Sequence, residues 1–175
     1  VLILLSIIWG VLLTTRALRR VDRPAWLRDL HSWLGGLAVV FTIMHMVTLI
    51  FDSYVNFTVV NLLVPFSTTN YGHTLPIALG ILGFYMLIAV QITSLIKRMN
   101  QKLWHRIHYL SYVLFGFVAI HALTAGSDVG KSWFTQFSMV IVMAGTAISG
   151  ARWVLGRYAT KRRQLRESQK PAQRS

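Results

Sequence analysis

The sequence predicts an all-α integral membrane bundle of about five transmembrane helices with the C-terminus cytoplasmic. Three observations predict it. Of 175 residues, 54% are hydrophobic and only 13% charged, and mean hydropathy is +0.53, whereas a soluble domain carries about 25% charged residues. Apolar runs long enough to cross a hydrocarbon core of about 30 Å recur along the chain. Lys and Arg, 18 in all against 5 Asp and Glu, fall almost entirely in three blocks beside those runs. The net charge of +13 is therefore read as topology and attraction to anionic lipid, and no nucleic-acid partner is expected.

Each span has its own justification. Val1 to Thr15 is an unbroken apolar run closed by Arg16, which snorkels to the interface. It reads as a first spanning helix rather than a signal peptide. No small-residue cleavage site follows it, and Arg16, Arg19, Arg20 and Arg23 come after the run, not before it. A basic loop to residue 28, with Pro24 and Trp26, leads to a second span from about Asp29 to Phe51. From Asp52 to His73 the chain has no Lys or Arg. Turn signals fall there at Asn61, Pro65 and Thr68 to Gly72, and a short interfacial helix is expected within the segment.

The third span, about Thr74 to Ile96, opens with Pro76 in its first turn and carries Gly80 and Gly83, which allow close helix approach. The basic link Lys97, Arg98, Lys102 and Arg106 precedes a fourth span, about His105 to Thr124. After a loop holding Asp128 and Lys131, a fifth span runs from about Trp133 to Leu155. The domain reading is thus a membrane domain over 1–155 and a basic cytoplasmic tail over 156–175, disordered or surface-bound at its end. With five spans, seventeen of the eighteen Lys and Arg lie on one side, which makes that side cytoplasmic.

Histidine carries the chemistry. The second span holds His31 and His45 and the fourth holds His108 and His121, separated by fourteen and thirteen residues, or roughly 20 Å along a helix axis. Ionisable residues inside a membrane helix call for a functional explanation. Both spans run in the same direction, so His31 shares a level with His108 and His45 with His121. Facing imidazole pairs at two depths suit the axial positions of two stacked haems. A single-ligand pigment of the chlorophyll type needs no such pairing. With no cysteine in the chain, thiolate sites, iron–sulfur clusters and c-type haem attachment are excluded.

Gly35 and Gly36 are expected to leave room for a flat porphyrin, and Phe41 and Phe117, four residues before the outer ligands, to lie beneath them. Thirteen residues leave His121 about 140° from His108 on an ideal helix. The fourth span is therefore expected to be tilted, bent or locally tightened, near Gly116, or else the haems approach it from different sides. His105 and His73 fall outside the pairing and read as interfacial residues. Arg28 and Arg106 are candidates to pair with haem propionates by charge-assisted bonds, and Tyr71, His73 and Lys131 to line an outer docking or reduction site.

The histidine spacing, together with KLWHRIHYLSYVLFGFVAIHAL, resembles the ferric reductase-like transmembrane domain of ferric reductases and NADPH oxidases. LWHRIHYLSY is similar to the W-x-x-[LI]-H-x-x-x-Y region of the haem subunit of bacterial methionine sulfoxide reductase. The resemblance covers about Val1 to Leu155. It implies two b-type haems bound through the iron by His31, His45, His108 and His121, and electron transfer across a cell membrane, here the bacterial inner membrane. Those families usually show six spans and a cytoplasmic flavin and nicotinamide domain. This chain shows five spans and no G-x-G-x-x-G unit. Its electrons are therefore expected to pass to or from a separate redox protein or a quinone, making it an electron-transfer subunit of an oxidoreductase complex. A scaffold subunit of a larger respiratory or photosynthetic assembly is the second reading. Ferric or oxygen reduction at the outer haem is the third, and nothing in the outer loops identifies a substrate.

Overall fold

The computed structural model describes residues 1–14, 25–53, 56–68, 74–96, 98–126 and 128–168. Helices form throughout them: α1 (Leu2–Thr14), α2 (Ala25–Phe51), α3 (Val59–Leu63), α4 (Thr74–Leu95), α5 (Gln101–His108), α6 (Leu110–Ala125) and α7 (Ser132–Ser168). Four stretches are long and apolar enough to cross a membrane: Trp26–Phe51, Thr74–Leu95, Gln101–Ala125 and Ser132–Arg162. Hydrogen bonding explains why these are helices, since a spanning segment must satisfy every backbone group internally. The protein is an all-α membrane bundle.

Helices α1, α2, α4 and α6 form a square. α1 packs on α2 and α6, α4 packs on the same two, and α7 lies outside against α1 and α6. α2, which carries His31 and His45, thus stands across the square from α6, which carries His121 and follows directly on α5 with His108 at its end. At its middle Ala38, Leu87 and Leu114 form a buried layer, closed by Leu2, Ile3, Val39, Met86 and Val118. A second cluster, Leu4, Ile7 and Phe115, seats α7 through Ile141, Ala144 and Ile148. Large apolar side chains such as Trp33 (70%), Met143 (63%) and Phe51 (83%) are exposed, which places lipid rather than water around the bundle.

Small residues set the spacing. A Cβ at Gly83 would lie 3.2 Å from Val118 Cγ2, and one at Gly145 would overlap the Phe115 ring. The expected role of Gly83 in close helix approach is met at the α4–α6 contact. α1 packs along α2: Leu2 and Ile3 reach the Ala38 layer, and Trp9 Nε1–H donates to the Leu27 carbonyl at 3.2 Å. α1 has thirteen residues, about 20 Å of helix, within the first span read from the sequence.

Three differences from that reading have local causes. The fourth span breaks at Tyr109, not at Gly116. There the N–H of Tyr109 bonds the carbonyls of His105 and Ile107, and Tyr112 N–H bonds the Tyr109 carbonyl at 3.2 Å, a tighter turn than the α-helix. Asn61, expected in a turn, belongs to α3, where Thr58 and Asn61 form a reciprocal capping box. α7 continues unbroken past Leu155 to Ser168. Lys, Arg, Gln, Leu and Glu all favour helix, so the polar composition of this segment did not end the helix.

Candidate functional site

His31 and His108 face each other across the square with ring centres 5.9 Å apart. His45 and His121 do the same at the other level, at 6.4 Å. Two metal–imidazole bonds of about 2 Å each, plus the distance from each nitrogen to its ring centre, give a separation of roughly 6 Å. Both pairs therefore match the spacing of imidazoles that share one metal. Among the described residues no group of three or more His, Cys, Asp or Glu could hold a bare ion. Two imidazoles with no third ligand suit a metal whose remaining positions a macrocycle fills, as in haem.

Each ring is held differently. His121 Nδ1–H donates to the Pro76 carbonyl on α4 at 3.0 Å. A carbonyl only accepts, so the proton sits on Nδ1 and Nε2 keeps its lone pair for a metal. Gly80, one turn after Pro76, makes room for that ring: a Cβ there would lie 2.7 Å from His121 Nδ1. His31 Nδ1 lies 3.4 Å from Ser6 Oγ on α1, and Gly10 admits the ring from the same helix, with a Cβ position 3.2 Å from His31 Cε1. His108 Nδ1 is buried, with no hydrogen-bond partner among the described residues. Its ring instead stacks on Trp104, 4.6 Å between centres and 13° between planes. His45 is exposed, with its ring facing His121.

Ser6, Gly10, Pro76 and Trp104 were not singled out from the sequence as supports of these rings. Trp104 carried a signal, since a residue four before a histidine on a helix lies beneath it; the others depend on which helices become neighbours. The room expected beside Gly35 is instead taken by Gln91, whose Oε1 lies 2.5 Å from a Cβ position there. Phe41 is 54% exposed and Phe117 lies against Gly83. His105 turns away from the pairs, its Nδ1–H donating to the Gln101 carbonyl of its own helix at 2.7 Å.

Arg28 and Arg106 are exposed on the first turn of α2 and the last turn of α5, at the end of the square that holds His31 and His108. Lys131 is bound by Asp128 at 2.6 Å. Tyr71 and His73, with Arg16, Arg19, Arg20, Arg23 and Lys97, lie outside the described residues.

The family described as ferric reductase like transmembrane component matches residues 1–119. That stretch contains His31, His45 and His108, and His121 follows two residues beyond it. No curated protein and no solved structure matches the chain. The match spans well over half of the 175 residues and takes in the facing helices: the chain belongs to the ferric reductase-like transmembrane family.

Proposed function

We propose that this chain is a dihaem cytochrome b that conducts electrons between the two faces of a cell membrane, the bacterial inner membrane in our reading. The observation that carries the proposal is the pair of facing imidazoles at each of two depths. Bound haem would supply one-electron chemistry at iron. The residues do the rest. His31 with His108, and His45 with His121, ligate; Pro76 and Ser6 orient His121 and His31; Gly80 and Gly10 give the rings their space. Ala38, Leu87 and Leu114 keep water out between the two levels. Arg28 and Arg106 are placed to pair with propionates at the inner site.

The basic blocks favour a cytoplasmic C-terminus. On that side Arg28, Arg98, Lys102, Arg106, Arg157, Lys161 and Arg162 are exposed, a surface suited to docking an acidic redox protein. Quantifying haem as its pyridine haemochrome, with a reduced-minus-oxidised spectrum of the purified chain, tests the proposal. Two haem b per chain, low-spin, is the expected result. One haem or none would overturn it.

A further inference from the structure

We infer that Trp104 is a positioning residue for the inner site: stacked on His108, it fixes the plane of that imidazole and holds it on the iron, so that the inner haem stays closed to small exogenous ligands. The inference rests on the dihaem reading and goes beyond it by giving the inner ligand its support.

That support begins in the backbone of α5. The Asn100 side chain accepts from the Lys102 N–H at 2.9 Å, and the Asn100 carbonyl accepts from the Trp104 N–H at 2.9 Å. These bonds fix the first turn of the helix. Trp104 stands on it four residues before His108, on the same face. Of residues 101–106, Trp104 alone is half-buried, and the other five are exposed. An indole that served only as an interfacial anchor would lie outward with them, among headgroups.

The indole is held on two sides. Its plane lies 13° from that of the His108 ring, with centres 4.6 Å apart, a near-parallel stack of the kind aromatic rings favour. His105 meets it edge-on, at 5.0 Å and 89°, and His105 is itself tied to the Gln101 carbonyl at 2.7 Å. A histidine ring turns readily about its Cβ–Cγ bond, because that torsion is broad. With the indole parallel and in contact, such a turn would drive the His108 ring into it. The plane so fixed stands 67° from that of His31, and the stack therefore also sets the angle between the two axial imidazoles.

The place of His108 in the chain makes the support matter. It is the last residue of α5, directly before the break at Tyr109, so no continuous helix ties it to α6. A ligand that leaves the iron opens one coordination position. Carbon monoxide binds ferrous haem only at an open position, and its rate of binding reads how firmly the imidazole is held.

Carbon monoxide binding to the dithionite-reduced, purified chain tests the inference, together with low-temperature electron paramagnetic resonance of the oxidised protein and haemochrome quantification. Trp104→Leu keeps apolar bulk and helix propensity but has no ring; Trp104→Phe restores one. The Leu variant should retain two haems and shift the low-spin signal of one of them. It should also gain a carbon monoxide phase worth one haem, faster than in the wild type by up to about tenfold, the factor that loss of one aromatic pair allows. The Phe variant should match the wild type in both readouts, and so should Leu103→Ala on the same turn, whose side chain is exposed. Loss of one haem in the Leu variant, with both kept in the Phe variant, would equally support the stack. An unchanged signal and carbon monoxide rate in the Leu variant, or a Phe variant that behaves as the Leu variant does, would overturn the role of Trp104 and leave the dihaem reading standing. Wild-type protein with fewer than two haems would instead sink the dihaem reading, and this inference with it.

Discussion

At the residue scale the four histidines make the sharpest demand, because the dihaem proposal gives each site two histidines and no spare. His45→Ala or His121→Ala should therefore lower haem content from two per chain to one, and so should His31→Ala or His108→Ala, with different haems lost. Haemochrome quantification and the spectrum of the surviving haem check this. Full haem content in all four variants would remove these residues as ligands. Gly80→Val tests the support: the added isopropyl group would occupy the space of the His121 ring, and the outer haem should be lost although no ligand has changed. The pairing was legible in the sequence because an ionisable side chain is costly within an apolar run and so stands out. The Pro76 carbonyl and Ser6 hydroxyl were not, since any backbone has carbonyls and a lone serine in an apolar helix carries no distinctive pattern; only the packing of α4 and α1 gives them a role.

At the scale of the element, the break between α5 and α6 carries the register. An ideal helix would leave His121 about 140° from His108, and a turn tighter than 3.6 residues adds about 20° per residue in the direction that closes the gap. Neither Gly nor Pro marks Tyr109, so composition pointed to Gly116 instead, where a Cβ would meet nothing within 4 Å. One alanine inserted after Tyr109 should turn α5 by about 100° relative to α6. α6 has the extensive contact with α4 and keeps its place, so His108 is the ligand that moves. Loss of one haem, with the outer one retained, is the expected result on haemochrome quantification; retention of both would separate the register from the break. The contact between α6 and α7 makes a different demand. Gly145→Leu would overpack the Phe115 ring and should destabilise the bundle by about 1–3 kcal/mol, read as a lower unfolding midpoint in detergent.

At the scale of the whole molecule, charge and length act together. α7 has 37 residues, about 55 Å of helix against a hydrocarbon core of about 30 Å, so its basic end stands clear of the membrane core. Arg157 lies over the Trp153 ring at 4.4 Å, a cation–π contact suited to a membrane interface. A reporter fused after Ser175 should be active only in the cytoplasm; an active export-dependent reporter there would reverse the topology. The same basic face gives the final prediction. Arg28, Arg98, Lys102 and Arg106 are exposed at the end of the bundle that holds His31 and His108, so a soluble acidic redox partner would dock beside that pair. The 175-residue chain by itself should not oxidise NADH or NADPH at a useful rate, although dithionite should reduce its haems. With an acidic redox partner added, haem reduction should be fast, and the association rate should fall as salt shortens the screening length from about 10 Å at 0.1 M to about 3 Å at 1 M. Charge reversal at Lys102 and Arg98 should lower that rate at low salt and have little effect at high salt, because steering acts on encounter rather than on the bound contact. Rapid, salt-insensitive reduction by a quinol analogue with no protein added would place the donor in the lipid phase and remove the docking face, leaving the histidine pairs and their haems as they are.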